Sequence, residues 1–266
     1  MAARILHVSD LHCGHRETPD TLAALGELSA RIAPELLLAT GDLSHRGRRE
    51  QLEHAAAQLR GLGVPLLAVP GNHDIPYTFP ARFTRTYAEW ERVFGTTEPV
   101  YSSERLHVVG ACSVRPWRQQ GGALPPDRLA RLTAALGGAR PGALRVVALH
   151  HHLGAPPWRA RRKRPLKARD RVLGDLAAAG AELVVGGHVH QAGIAERREF
   201  EALEDGRRGA VVLATAPGLG RPRPRRRGEA RGVNVYEADA ESLTVTTFAW
   251  DGAAFAETGR RTFPRG

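Results

Sequence analysis

The stretch ILHVSDLH at positions 5–12 decides the fold class, because a short apolar run passes directly into an aspartate and a histidine. The run at 5–9 predicts a β-strand, and the two polar residues would follow its carboxyl end. Open α/β sheets place their functional sites at the carboxyl ends of strands. The stretch therefore predicts an α/β protein with a site that begins at Asp10 and His12.

The same arrangement recurs further along the chain. Apolar runs that predict strands lie at 36–39, 66–69, 145–149 and 183–186. The motifs that follow them are Gly41-Asp42, Gly71-Asn72-His73-Asp74, His150-His151-His152 and Gly187-His188-Val189-His190. Segments of helical length and pattern alternate with the runs, at 18–32, 50–62, 80–94, 125–136 and 167–179. Alternating strands and helices predict an α/β architecture with a polar site at one edge of the sheet.

The pattern changes after Gly187, where strands follow one another without intervening helices. We predict these strands at 192–200, 209–215, 232–238 and 242–250. A β-rich tail after an α/β front half predicts two packed mixed β-sheets flanked by helices. We expect residues 1–266 to form a single domain.

Composition excludes several classes of protein. The chain has 266 residues, of which 42% are hydrophobic, enough for a full core. It contains no apolar stretch of about 18 residues, so no membrane span is expected. The first motif starts so early that we expect no signal peptide. Cys13 and Cys112 are the only cysteines, which favours a reducing cytoplasm.

The net charge of +10 is compatible with an anionic partner, but the kind of basic residue that produces this charge weakens that interpretation. Only Lys163 and Lys167 of the 38 basic residues are lysine. An arginine skew with heavy alanine and glycine use is typical of a GC-rich genome. Arginine-rich stretches at 159–171 and 221–231 are either a rim around the site or solvated loops. The charge favours a phosphate substrate without requiring a nucleic acid.

The spacing of the polar residues suits metal binding. Asp10 and His12 lie two apart, as do His188 and His190, and such pairs share one face of an extended segment. A carboxylate such as Asp42 has two oxygens and can bridge two cations. Mixed oxygen and nitrogen ligands suit Mn, Fe, Zn or Ni better than Mg or Ca. Each motif alone is weakly specific, whereas the ordered set strongly predicts a metal site.

Taken together, the motifs resemble those of the calcineurin-like metallophosphoesterase superfamily, in the family's order from position 10 to position 190. The resemblance implies a four-layer α/β/β/α sandwich with a dinuclear centre. In such a centre one cation would be held by Asp10, His12 and His190. The other would be held by Asn72, His150 and His188, and Asp42 would bridge the two cations. His150 is preferred over His151 because the preceding strand ends there, but a boundary can shift by one residue.

Two further residues of the third motif carry expected roles. The resemblance implies that His73 contacts the phosphate and acts as the general acid, the alternative being a histidine that only bonds within its turn. Asp74 would fix the tautomer of a neighbouring ring, or would simply close the turn. Both are predicted here as catalytic residues.

The chain looks most similar to the bacterial cyclic-nucleotide phosphodiesterase branch of that superfamily. We therefore predict a hydrolase with two divalent metal ions, Mn and Fe being favoured and Zn or Ni the alternatives. In this class two cations about 3.5–4 Å apart acidify a water and neutralise the phosphate oxygens. The predicted partner is a small phosphate ester, with a cyclic nucleotide as leading hypothesis. The alternatives are a nuclease, a phosphomonoesterase and a catalytically silent metal-binding module.

Overall fold

The computed structural model describes residues 2–15, 19–118, 120–154, 163–198, 210–220 and 231–265. Each of the two arginine-rich stretches lies partly outside these residues. The first is described only from Lys163 onward, and positions 221–230 of the second lie outside the described residues.

The first of two mixed sheets in the described chain carries the N-terminal strands. Its spatial order is β12-β11-β10-β1-β2-β3. The three N-terminal strands run parallel to one another, while β10, β11 and β12 add antiparallel strands beside β1. Its strands are β1 (Ala3–Val8), β2 (Leu36–Ala39), β3 (Leu66–Ala68), β10 (Gly232–Ala238), β11 (Ser242–Trp250) and β12 (Phe255–Pro264).

The second sheet has the order β4-β5-β6-β7-β9-β8. Strands β5, β6, β7 and β9 are parallel, and an antiparallel strand closes each edge. Its strands are β4 (Val100–Ser102), β5 (Leu106–Gly110), β6 (Leu144–Ala148), β7 (Leu183–Gly186), β8 (Gly193–Arg198) and β9 (Ala210–Thr215).

Helices cover the outer face of each sheet. One apolar cluster lies between the sheets and includes Leu38 and Val146, while two others join each sheet to its helices. The layers are therefore helix, sheet, sheet and helix, as predicted. The helices are α1 (Pro19–Ile32), α2 (Arg49–Arg60), α3 (Ala81–Thr84), α4 (Ala88–Phe94), α5 (Pro126–Leu136) and α6 (Arg169–Ala178).

The predicted helix over 80–94 is wrong, because the structure divides it into α3 and α4. Arg85 ends α3 with φ −140° and ψ 44°, which no α-helix accommodates. The Tyr87 hydroxyl donates to the carbonyl of Val114 at 2.8 Å, and Trp90 is fully buried. These tertiary contacts, which sequence periodicity does not contain, decide where the helix breaks.

The sequence prediction missed β4 and β12, both of which are edge strands. In β12, residues 256–262 are all exposed, so the strand has no apolar alternation to reveal it. Backbone pairing with β11 holds this strand in the sheet instead. In the part of the chain that the structure describes, no helix is both long and apolar enough to cross a bilayer.

Candidate metal centre

The seven predicted ligands converge where the parallel strands of the two sheets end. The loops after β1, β2 and β3 supply four of them, and the loops after β6 and β7 supply three. All seven are at most 6% exposed, so water is largely excluded from the cluster. From the first sheet come Asp10, His12, Asp42 and Asn72, and from the second come His150, His188 and His190.

Five of these residues adopt a backbone conformation that L-residues rarely occupy. Their φ values are 54° for Asp10, 53° for His12, 51° for Asp42, 71° for His188 and 58° for His190. Such left-handed residues each cost about 1–3 kcal/mol and cluster at functional sites. The fold holds them there because successive strand-end loops bond to one another, as in the contact of Asp10 N with Gly41 O at 2.9 Å.

Two glycines allow the loops to approach closely. Gly41 has φ +81°, and a Cβ there would overlap the backbone of Gly71. A Cβ on Gly187 would lie 2.6 Å from the Asp10 Oδ2 atom and would also overlap Ser9. The two sheets can therefore bring their polar loops together only where side chains are absent.

The first half of the cluster contains two carboxylates and two imidazoles. The Oδ1 atom of Asp10 lies 3.1 Å from His190 Nε2. The Nε2 atoms of His12 and His190 are 3.4 Å apart. His12 Nε2 also lies 3.9 Å from Asp10 Oδ1 and 3.9 Å from Asp42 Oδ2. These four side chains can surround one cation.

The second half of the cluster is built around His150. Its Nε2 atom lies 3.4 Å from Asp42 Oδ1, 3.2 Å from Asn72 Oδ1 and 3.2 Å from His188 Nδ1. Asp42, His150 and His188 form a second group able to hold a cation. Asp42 therefore belongs to both groups, with Oδ2 nearest the first and Oδ1 nearest the second.

Neighbouring groups fix the orientation of these side chains. Ser9 Oγ and the His188 amide both donate to Asp10 Oδ2, at 2.8 Å and 2.9 Å. The other oxygen, Oδ1, is buried and has no hydrogen-bond partner. His150 Nδ1 donates to the carbonyl of Thr40 at 2.7 Å, which leaves Nε2 free to act as a ligand.

The charged groups of the cluster favour the binding of a cation. Burial works to raise the pKa of Asp42, but the histidines around it, His150 first, hold it well below its usual range. Burial likewise works to lower the pKa of His150, and the charge of Asp42 outweighs it and raises that pKa to about 9. Buried carboxylates need a compensating cation. The unpartnered Asp10 Oδ1 and the mixed nitrogen and oxygen donors fit divalent transition metals.

His73 lies beside the first half of the cluster. Its ring packs edge-on against that of His12, with centroids 4.7 Å apart. Its Nδ1 donates to the carbonyl of His45 at 2.9 Å and lies 2.7 Å from the Tyr77 hydroxyl. The same hydroxyl lies 3.3 Å from His73 Nε2, so Nε2, the less closely bonded nitrogen, is the one that can face a substrate. Burial raises the pKa of Tyr77 to about 12, so the phenol stays protonated.

Of the two roles predicted for Asp74, its contacts match turn closure rather than tautomer control. Its Oδ1 accepts from the amide of Ser44 at 2.7 Å, and its Oδ2 accepts from the amide of Gly71 at 2.8 Å. It is 1% exposed. Asp74 therefore joins the loops after β2 and β3, and no hydrogen bond from a histidine ring to its carboxylate is found among the described residues. Tautomer control of His73 comes from a backbone carbonyl, which a sequence pattern does not reveal.

The three-histidine run separates into different environments. Only His150 belongs to a metal-competent group within the described chain. His151 Nδ1 lies 2.8 Å from Ser113 Oγ, which places that ring against the loop after β5. Three supporting groups were missed because they lie outside the motifs. They are the side chains of Ser9 and Tyr77 and the carbonyl of Thr40.

Comparison with known proteins agrees with this geometry. A family model described as calcineurin-like phosphoesterase matches residues 3–192. A curated relative from Synechococcus, named a probable cyclic nucleotide phosphodiesterase, is 32% identical over 160 residues. That match covers 57% of this chain and 58% of the relative, so the chain spans little more than half of the relative's length.

Solved structures share the fold. A purple acid phosphatase from yellow lupin seeds superposes with a TM-score of 0.72 at 11% identity, covering 100% of this chain and 54% of that one. A dimetal phosphatase from Danio rerio superposes with a TM-score of 0.66 at 13% identity and covers 98% of both chains. At such low identity these likenesses concern the fold alone.

Proposed function

The chain belongs to the calcineurin-like phosphoesterase family, and from that membership we propose a metal-dependent hydrolase of small phosphodiesters, with cyclic nucleotides as the preferred class. The observation that carries the proposal is the position of Asp42. Its two carboxylate oxygens lie against two separate groups of ligands, which is what a bridging residue requires.

We assign the ligands as the family resemblance implies. Asp10, His12 and His190 would hold one ion, and Asn72, His150 and His188 the other. Mn and Fe are favoured, with Zn or Ni as alternatives, because the donors mix oxygen with nitrogen. The contacts of 3.1–3.9 Å among the donor atoms support this grouping.

When bound, the two metal ions would neutralise the charge of the phosphate and acidify a water that serves as the nucleophile. The protein's own residues do the remaining work. The His45 carbonyl accepts from His73 Nδ1, so Nε2 is the nitrogen that would face the substrate. His73 would donate a proton from Nε2 to the departing alkoxide. The buried Asp10 and Asp42 keep their orientation through bonds to neighbouring loops.

The substrate class rests on the curated relative. Its name supports a cyclic nucleotide, and the preference for a diester over a monoester is part of this proposal. A nuclease is the principal alternative, because the net charge of +10 would favour a polyanion. We also retain the reducing compartment as a prediction, on the basis of the low number of cysteines.

The test is a substrate panel run on metal-reconstituted protein. Cyclic nucleotides, linear diesters, monoesters and DNA are compared with Mn and with Fe, and the bound metal is counted by elemental analysis. We expect the highest kcat/KM on a cyclic nucleotide. A clear preference for DNA, with binding that weakens steeply as salt rises, would replace the proposal with a nuclease. A protein that binds two ions but hydrolyses no phosphate ester would refute a catalytic role.

A further inference from the structure

A second set of histidines lies at the mouth of the centre. It consists of His12, His15, His45 and His73, and the proposed reaction uses neither the side chain of His15 nor that of His45. One ring nitrogen from each of His12, His45 and His73 lies within 4.8 Å of the other two. This spacing allows three imidazoles to bind one ion. We refer to these four residues as the mouth cluster.

The backbone holds the mouth cluster in place. The amide of Cys13 donates to Leu43 O at 2.8 Å, and the amide of His45 donates to Cys13 O at 3.0 Å. These bonds join the loop after β1 to the loop after β2. The rings of His15 and His45 then pack together with centroids 4.5 Å apart and planes tilted by 42°. His73 approaches from the loop after β3, with its centroid 5.8 Å from that of His45.

Two nitrogens of the cluster have no hydrogen-bond partner. They are the Nδ1 atoms of His12 and His45, and both atoms are buried. His12 is 1% exposed, and its other nitrogen, Nε2, already faces the first half of the centre. A buried nitrogen without a partner carries a desolvation penalty that a ligand would offset. Imidazole has two nitrogens, so His12 can bind an inner and an outer cation at once if its N–H proton is released to solvent and the ring bridges them as an imidazolate.

We propose that the mouth cluster is a third cation site, specific for zinc-class transition metals. His12, His45 and His73 are its ligands, and His15 is the adjoining ring. Three imidazole nitrogens suit Zn, Ni or Cu and not Mg or Ca, which require oxygen. The cluster contains no carboxylate, whereas the inner groups contain Asp10 and Asp42. The outer ion is therefore bound more weakly than the inner pair and fills last.

An ion bound by the mouth cluster would inhibit turnover. This effect rests on the role proposed above for His73. A cation bound by the His73 ring occupies a nitrogen that the reaction needs for proton donation. The outer site is therefore inhibitory, and an excess of zinc stops an enzyme whose inner sites are already filled.

The test measures stoichiometry and activity separately. Wild-type protein is dialysed against increasing free Zn²⁺, and bound zinc is counted by elemental analysis. We expect three equivalents for the wild type and two for His45→Gln. His54→Gln is the matched control, because it removes an exposed histidine on α2 and should leave all three. In the same titration the wild type should lose at least tenfold in kcat between two and three equivalents, while the kcat of His45→Gln, whatever its starting value, should not fall further as zinc is added beyond two equivalents.

A wild type that saturates at two equivalents overturns the proposal, as does a His45→Gln protein that still binds three. A second variant, His45→Phe, guards against misfolding, and both variants are checked for a cooperative thermal transition. Three equivalents in a wild type that hydrolyses nothing would support the mouth site while contradicting the proposed function.

Discussion

Asp42 connects the two halves of the candidate centre through a single carboxylate. Oδ2 lies 3.9 Å from His12 Nε2, and Oδ1 lies 3.4 Å from His150 Nε2. The amide of His73 donates to Oδ1 at 2.8 Å and holds the group in this orientation. No other carboxylate among the described residues belongs to both groups.

Replacing Asp42 with asparagine should remove the metal pair, because an amide supplies one neutral oxygen in place of two charged ones. We expect bound metal to fall from two equivalents to one or none, and kcat/KM to fall by about 10³-fold or more. Elemental analysis and steady-state kinetics measure both. Asp127→Asn, an exposed change on α5, is the control. Two retained ions in Asp42→Asn would contradict the bridging assignment.

Replacing His73 with alanine should affect poor leaving groups most. General acid catalysis contributes about 10²–10⁴-fold, so alkyl phosphodiesters should lose that much in kcat/KM. A p-nitrophenyl ester departs without a proton and should lose far less. His54→Ala serves as the control for removing a histidine. An equal loss on both substrates would exclude the proton-donating role and leave His73 as a phosphate contact.

Strand ends are the elements that build this site, and glycine sets how closely they approach. Gly187 follows β7 directly and packs against Asp10, which follows β1. The contact joins the second sheet to the first at the metal ligands themselves. At this point a side chain on residue 187 would overlap Ser9 and Asp10, so the two loops can approach this closely because residue 187 is glycine.

Gly187→Ala should therefore damage the site as well as the fold. The new Cβ would overlap Ser9 and the carboxylate of Asp10, which must move together with its ligand geometry. We expect weaker metal binding and a lower melting temperature. Gly174→Ala in α6 is the matched control, since a Cβ there meets nothing within 4 Å. That change should stabilise the protein by about 0.5–1 kcal/mol. Equal metal affinity in both variants would contradict the close-packing argument.

At the scale of the whole molecule, a buried polar chain runs through the first sheet to the metal centre. His7 on β1 lies 2.7 Å from the Tyr236 hydroxyl through Nδ1 and 2.8 Å from Thr40 Oγ1 through Nε2. The carbonyl of Thr40 in turn accepts from His150. The C-terminal strand β10, which lies beyond the matched family region, thus supports the site.

The buried polar groups around His7 make the stability of the protein depend on pH. Burial lowers the pKa of His7 to about 3, whereas a histidine in the unfolded chain has its ordinary pKa of 6.5. The unfolded state therefore takes up the proton first. The contribution of His7 to stability is complete above pH 6.5 and declines as the pH falls toward 3. Between pH 7.5 and pH 5 it should decrease by about 2 kcal/mol.

Urea denaturation of wild type and His7→Gln at both pH values measures the contribution of His7 to the free energy of unfolding. The glutamine can bond to the same two hydroxyls but does not titrate, so its free energy of unfolding should fall less than that of the wild type. Both proteins are compared after metal removal, because the ligand histidines also bind protons. An identical fall in the two proteins would show that His7 does not contribute.

The sequence by itself determined the fold class, most of the strands and the seven residues that gather at the centre. It could do so because short apolar runs with polar ends are local features, and five such motifs in one order have few alternative arrangements. It did not determine the break at Arg85, the edge strand β12, the partners of Asp74 or the contact of Tyr77 with His73. Those depend on groups distant in the chain, and packing and backbone hydrogen bonds leave no periodic signal. Only the tertiary structure showed Asp42 between two ligand groups and four histidines around one mouth, because those distances exist only after the two sheets have packed.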